Sequence, residues 1–135
     1  MQISCRCGEV EIAIAAEPVA QFFCHCDDCQ AMHGAAYVPE SVYPTEAVTI
    51  IKGEPASWTL KHNPRLFCRV CGTRLFIEVA RLNLRGVNGC LLPDGAFRPQ
   101  FHMHCRFAVR PVRDDLAHYR ARAPQFGGPE ELADW

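Results

Sequence analysis

No stretch of this 135-residue chain approaches the roughly eighteen consecutive apolar residues of a membrane-spanning helix, so a helical membrane protein is excluded. A basic block is also missing. Fourteen Lys and Arg stand against fifteen Asp and Glu, a net charge of -1, and this offers no bulk attraction to nucleic acid. Internal repeats, coiled-coil heptads and low-complexity tracts are absent, which removes repeat and fibrous architectures. Long helix-period runs are scarce, while ten prolines and nine glycines favour short strands and turns. The first residues lead directly into a cysteine pair, Cys5 and Cys7, leaving no apolar leader to cleave. We therefore expect a cytoplasmic protein with reduced cysteines and no membrane partner.

Cysteine is what the chain has in excess. Of nine, seven fall in three clusters: Cys5-Arg-Cys7-Gly, Cys24-His-Cys26-Asp-Asp-Cys29 and Cys68-Arg-Val-Cys71-Gly. Thiolates two or three residues apart on a turn can reach one ion at about 2.3 Å, and zinc prefers this soft tetrahedral set, with iron the main competitor. The same spacings are poorly suited to local structural disulfides. Cys24, Cys26 and Cys29 lie within six residues, so one knuckle supplies all three to one metal. Cys5 and Cys7 share one face of an extended segment, and Cys68 and Cys71 precede Gly72 in a ribbon-type turn. Each pair needs two more ligands and is the other's simplest source. Seven ligands thus divide into a closed four-thiolate site and an open three-thiolate site, an expectation of two Zn2+ per chain. Closed sites hold proteins together, whereas open ones do chemistry. Cys90 and Cys105 fall outside the clusters and are expected to be buried free thiols.

The remaining pattern is that of a mainly β domain. Val10 to Ile14 alternates with period two, and Phe22-Phe23 runs into the triplet, placing the open site at a strand end. Asp27 to Met32 fits one helical turn ended by Gly34. Ala35 to Val38, Val48 to Lys52 and Ala56 to Leu60 read as strands, the last two joined by a turn through Gly53. Leu66-Phe67 and Leu75 to Val79 flank the Cys68 turn as a hairpin. Arg85 to Val87 and Phe101 to Cys105 are shorter strands. Arg113 to Arg122 reads either as a helix, with Asp114 as its cap, or as irregular chain. Residues 1–123 are expected to form a single zinc-binding β domain, and residues 124–135 a loosely held tail. Because a structural zinc contributes on the order of 10–16 kcal/mol, against about 5–15 kcal/mol of net domain stability, the metal is expected to be a condition for folding.

In order along the chain, these clusters resemble the glutathione-dependent formaldehyde-activating enzyme family, which includes centromere protein V. The matching segments are Ser4 to Gly8, Cys24 to Gln30 and Arg65 to Thr73, followed by Leu92-Pro-Asp-Gly95, Pro99 to His102 and Ala123 to Phe126. The resemblance implies folded-over β-sheets, sometimes called a β-tent. It also implies a structural zinc on Cys5, Cys7, Cys68 and Cys71 and a catalytic zinc on Cys24, Cys26 and Cys29. The implied activity is carbon–sulfur lyase chemistry on S-hydroxymethylglutathione, with a small thiol adduct as substrate. The chain departs from the family pattern at Gln30 and Ala31, where a basic residue is usual, and at Val109 and Arg110, where a tryptophan is usual.

Around the open site, His25 is expected to point away from the metal, and His33 stands just beyond the triplet. His102 and His104 are expected to share a strand face, either one being able to supply a fourth ligand. Arg65, Arg69 and Arg74 are candidate partners for substrate carboxylates. The competing reading is a zinc-stabilised binding module without catalysis. A further reading, methionine sulfoxide reduction, requires Cys90 or Cys105 as an exposed nucleophile.

Overall fold

The computed structural model describes residues 1–135. It contains eleven strands and one α-helix: β1 (Gln2–Ser4), β2 (Glu11–Ile14), β3 (Ala20–Cys24), α1 (Asp27–His33), β4 (Val38–Pro44), β5 (Val48–Lys52), β6 (Ala56–Thr59), β7 (Pro64–Phe67), β8 (Arg74–Val79), β9 (Leu84–Asn88), β10 (Phe101–Met103) and β11 (Ala117–His118). The fold is thus mainly β, as the composition implies. No helix is long and apolar enough to cross a membrane. The chain forms two compact units, each discontinuous in sequence: residues 1–20 with 41–97, and residues 21–40 with 98–135.

In the first unit, the period-two pattern around β2 buries Val10, Ile12 and Ile14 while their neighbours face outward. β2 pairs antiparallel with β1 and β5, setting Ile12 opposite Ile3 and Ile50. A second antiparallel run, β6-β7-β8-β9, brings Phe76 opposite Leu66 and Val87. Leu75, Phe76, Val87 and Tyr43 are fully buried and join the inward residues of β2 in one cluster that also contains Cys5 and Cys68. Each such side chain contributes about 1.5–3 kcal/mol. The Tyr43 hydroxyl meets Ser41 Oγ at 2.8 Å, which satisfies both buried groups.

In the second unit, β3, β10 and β11 run parallel, with Phe101 beside Phe22 and Ala117, and His102 beside Phe23 and His118. Phe22 and Phe101 stack at 5.2 Å, and Phe126 meets Phe22 edge-on. α1 is capped by Cys26 at its start and at its end by Gly34, which adopts the left-handed conformation.

The strand bounds expected at 35–38 and the helical reading of 113–122 are corrected. β4 starts at Val38 and continues to Pro44, because its residues 40–43 are buried on both faces and show no alternation. Residues 113–122 form no helix. Asp114 accepts from the Leu116 N–H at 3.0 Å, and Ala117–His118 joins β10 as a parallel strand. The segment 124–135 is tied back by main-chain bonds: Arg120 N–H donates to Glu131 O, and Ala133 N–H to His118 O, each at 2.8 Å.

Gly53 links β5 to β6 with φ +80°, and a Cβ there would overlap the Glu9 carbonyl oxygen. Gly95 shares the positive φ (+76°) but faces open space. Gly53→Ala is expected to lower stability by about 1–3 kcal/mol, clearly more than Gly95→Ala, in denaturant melts of the two variants.

Candidate metal centres

Two turns build the first cysteine cluster, both within the first unit. After β1 the chain folds back so that Gly8 N–H donates to Cys5 O and Val10 N–H to Cys5 Sγ at 3.3 Å. After β7, Gly72 N–H donates to Cys68 O and Val70 N–H to Cys68 Sγ at 3.4 Å. Each turn therefore presents its sulfurs with amide dipoles pointing at them, an arrangement that favours thiolate. Cys5 and Cys68 are buried, while Cys7 and Cys71 face solvent. The four ligand atoms converge within 4.8 Å of one another. Cys5 Sγ lies 3.6 Å from Cys7 Sγ, which lies 3.7 Å from Cys68 Sγ. Thiolates about 2.3 Å from one tetrahedral ion stand about 3.8 Å apart, so the donor set fits zinc.

Without an ion these sulfurs must share protons. The Glu9 amide favours the Cys7 thiolate, but burial and the neighbouring sulfurs of Cys5, Cys71 and Cys68 prevail and push Cys7 up to about 12. The Thr73 hydroxyl and amide bring Cys71 down to about 5. In the triplet, hydrogen bonds from Cys24 and Cys29 lower Cys26 to about 3, while Cys26 and Cys29 hold Cys24 well above its ordinary value. Such alternation marks clustered thiolates that need a cation before all can ionise.

The triplet sits where β3 meets α1. Cys24 closes the strand, Cys26 caps the helix by accepting from the Cys29 N–H at 3.3 Å, and Cys29 is the helix's buried residue. These three sulfurs also converge within 4.8 Å, and no His, Cys, Asp or Glu joins them as a fourth protein ligand. His102 and His104 do not share a strand face, because β10 ends at Met103 and His104 turns left-handed at φ +58°. His104 has its pKa lowered by burial, with Arg106 acting in the same direction and Cys29 opposing.

His25 points away from the sulfurs. Its Nε2 lies 2.8 Å from His102 Nδ1, and its ring is held down to about 4 by burial and by His102 and His118. His102 Nε2 in turn lies 2.8 Å from Asp114 Oδ2. Asp114, whose charge burial opposes, is kept below its ordinary value by the His102 and Leu116 hydrogen bonds. His118 and Trp135 complete this group. Sequence reading missed Asp114, His118 and Trp135, since only the parallel register of β10 with β11 unites them.

A family profile described as glutathione-dependent formaldehyde-activating enzyme matches residues 1–107, a span that holds all seven clustered cysteines. The chain belongs to this family. No functionally curated protein matches it. A solved Rhodobacter sphaeroides protein from structural genomics is similar at 22% identity and TM-score 0.58, covering 70% of this chain and 89% of its own. That likeness shows a shared fold.

The departures from the formaldehyde-activating family pattern have structural counterparts. Gln30 Nε2 donates to His25 O and to Phe107 O, both at 2.8 Å, so the amide fastens α1 to the segment after β10 where a basic residue is usual. Val109 and Arg110 line a cavity of about 350 Å³ together with Arg106 and Arg120. Of the arginines expected to meet substrate carboxylates, Arg65 and Arg74 are buried and Arg69 is exposed. Arg74 donates to Gly86 O and Arg69 to Glu54 O. His33 lies in the last turn of α1. Cys105 is buried as expected, whereas Cys90 is exposed on the turn after β9, where Asn88 Oδ1 accepts its N–H.

Cys68→Ser is expected to leave the protein insoluble or unfolded, whereas Cys26→Ser should stay folded and lose about one metal per chain. Metal analysis with thermal melts checks both. A Cys68→Ser protein with unchanged melting and full metal content would refute the first expectation, and global unfolding of Cys26→Ser the second.

Proposed function

We propose that the protein is a zinc-dependent carbon–sulfur lyase acting on a small thiol–aldehyde adduct at Cys24, Cys26 and Cys29. The observation that carries this reading is the three-thiolate cluster with no fourth protein ligand, beside a second cluster with four. Family membership supports it. Cys24, Cys26 and Cys29 would hold a zinc ion, which would supply Lewis acidity and favour the thiolate form of a substrate thiol at neutral pH. Three thiolates leave a divalent ion near a net charge of minus one, against minus two for four, so the triplet retains more of that acidity.

In the reaction, the carbon–sulfur bond of a hemithioacetal breaks with its electron pair going to sulfur. The hydroxyl loses its proton as the aldehyde C=O forms. No electron leaves or enters the system, so a redox-inert ion suffices.

The protein's share is to hold and orient. Cys24 at the strand end and Cys26 and Cys29 at the helix start fix the sulfurs on two elements joined by one turn. Gln30 holds the 105–111 segment against α1 through Phe107 O. Arg106, Arg110 and Arg120 around the cavity, against the one carboxylate of Asp134, offer donors to substrate carboxylates, so a carboxylated thiol such as glutathione suits this surface. Arg120 already lies 3.3 Å from Glu131, which leaves Arg106 and Arg110 as the more available pair.

With cobalt replacing zinc, glutathione is expected to change the visible absorption, and to do so at lower concentration than a neutral thiol of similar size. Arg110→Ala should narrow that difference. If no thiol alters the cobalt spectrum at millimolar concentration, the lyase reading fails and a zinc-stabilised binding module takes its place.

A further inference from the structure

A third group of ligating side chains lies apart from both cysteine clusters. His102 on β10, His118 on β11 and Asp114 before it bring two imidazole nitrogens and a carboxylate within 4.8 Å of one another. We propose that these three residues form a further metal site for a divalent first-row transition ion, with a two-histidine, one-carboxylate donor set.

Four observations carry the proposal. First, both imidazoles turn the same nitrogen to one carboxylate: His102 Nε2 lies 2.8 Å from Asp114 Oδ2, and His118 Nε2 lies 3.0 Å from Asp114 Oδ1. Ligands about 2.1 Å from one ion stand about 3.0 Å apart when they are adjacent in an octahedron, and about 3.4 Å in a tetrahedron. Second, His118 Nε2 is buried and, although 3.0 Å from the carboxylate oxygen, makes no aligned hydrogen bond with it. Two donor atoms that are close but not aimed at each other are what convergence on a common third point produces. Third, His102 Nδ1 lies 2.8 Å from His25 Nε2, so the nitrogen away from the site has a partner that fixes the ring. Metal-bound imidazoles are usually held in this way. Fourth, the His102 and His118 rings lie 4.7 Å apart and tilted by 31°, a spacing compatible with two rings on one ion.

The donor set also says which ion to expect. Imidazole with carboxylate suits zinc, ferrous iron and their neighbours, and three protein ligands leave coordination positions for solvent or a small ligand. Trp135 forms a wall beside these residues, its ring 4.8 Å from that of His118 and 6.4 Å from that of His102. The tail that carries it is paired to His118 through Ala133.

The site is independent of the thiol reading, and its test does not depend on activity. Full-length protein would be equilibrated with zinc, dialysed and assayed for metal per chain, beside His118→Ala and Asp114→Asn. Wild type is expected to hold one equivalent more than the cysteine clusters account for, and each variant to lose that equivalent while keeping its thiolate-bound metal. A Cys26→Ser protein should retain the extra equivalent, which separates this site from the triplet. Histidine ring nitrogen resonances of wild type keep the test decisive if a variant fails to fold. Zinc should shift those of His102 and His118 and spare exposed His62. A wild type with no metal beyond the cysteine sites, an extra ion that survives both substitutions, or unshifted His102 and His118 resonances would overturn the proposal.

Discussion

The convergence of four sulfurs from two distant turns is the constraint on which the first unit depends. Cys7 and Cys68 stand 61 residues apart in sequence yet 3.7 Å apart in space. Closing so long a loop is entropically costly, and the buried cluster around Phe76 and Ile12 that shares the task is modest. Cys5 and Cys68 are themselves members of that cluster, so the sulfurs and the apolar core are one structure. Like-charged thiolates at these distances repel, and a divalent ion converts the repulsion into a crosslink. Two of the four sulfurs are buried and two face solvent, so an ion held there would be enclosed on one side only.

The second unit uses the same ligand chemistry with less closure. Its triplet lies on one local segment, so a metal held there would crosslink little chain. What organises this unit is polar and aromatic: the His25, His102 and Asp114 chain, the Phe22–Phe101 stack, and Trp135 against His118. The two units thus differ in their ligand sets: four thiols converge in one, and three thiols and a histidine–carboxylate group stand in the other.

What the sequence revealed and what it hid have separate physical causes. Cysteine spacing is local, so the grouping of the seven sulfurs was legible, as were the period-two burial along β2 and the helix stop at Gly34. Gln30 read as a missing charge, yet it is a clamp between two carbonyls. The helix expected over 113–122 rested on local propensity, and the parallel pairing of Ala117–His118 with β10 overrode it. The same pairing brings His118 and Asp114 to His102, a meeting that no local spacing encodes. His104 left its expected face because one left-handed residue ends β10. Cys90 was read as buried, but hydrophobic character does not decide the placement of a short turn.

Metal ions on these cysteines would organise the molecule, one set of ligands closed by protein and the other open. Anomalous diffraction from crystals, collected on both sides of the zinc absorption edge, tests it most directly. The account predicts one zinc peak at the centre of Cys5, Cys7, Cys68 and Cys71, and a second against Cys24, Cys26 and Cys29 whose fourth ligand is not a protein side chain. Disulfide density joining these sulfurs, or a peak at the triplet completed by a histidine of the chain, would contradict it.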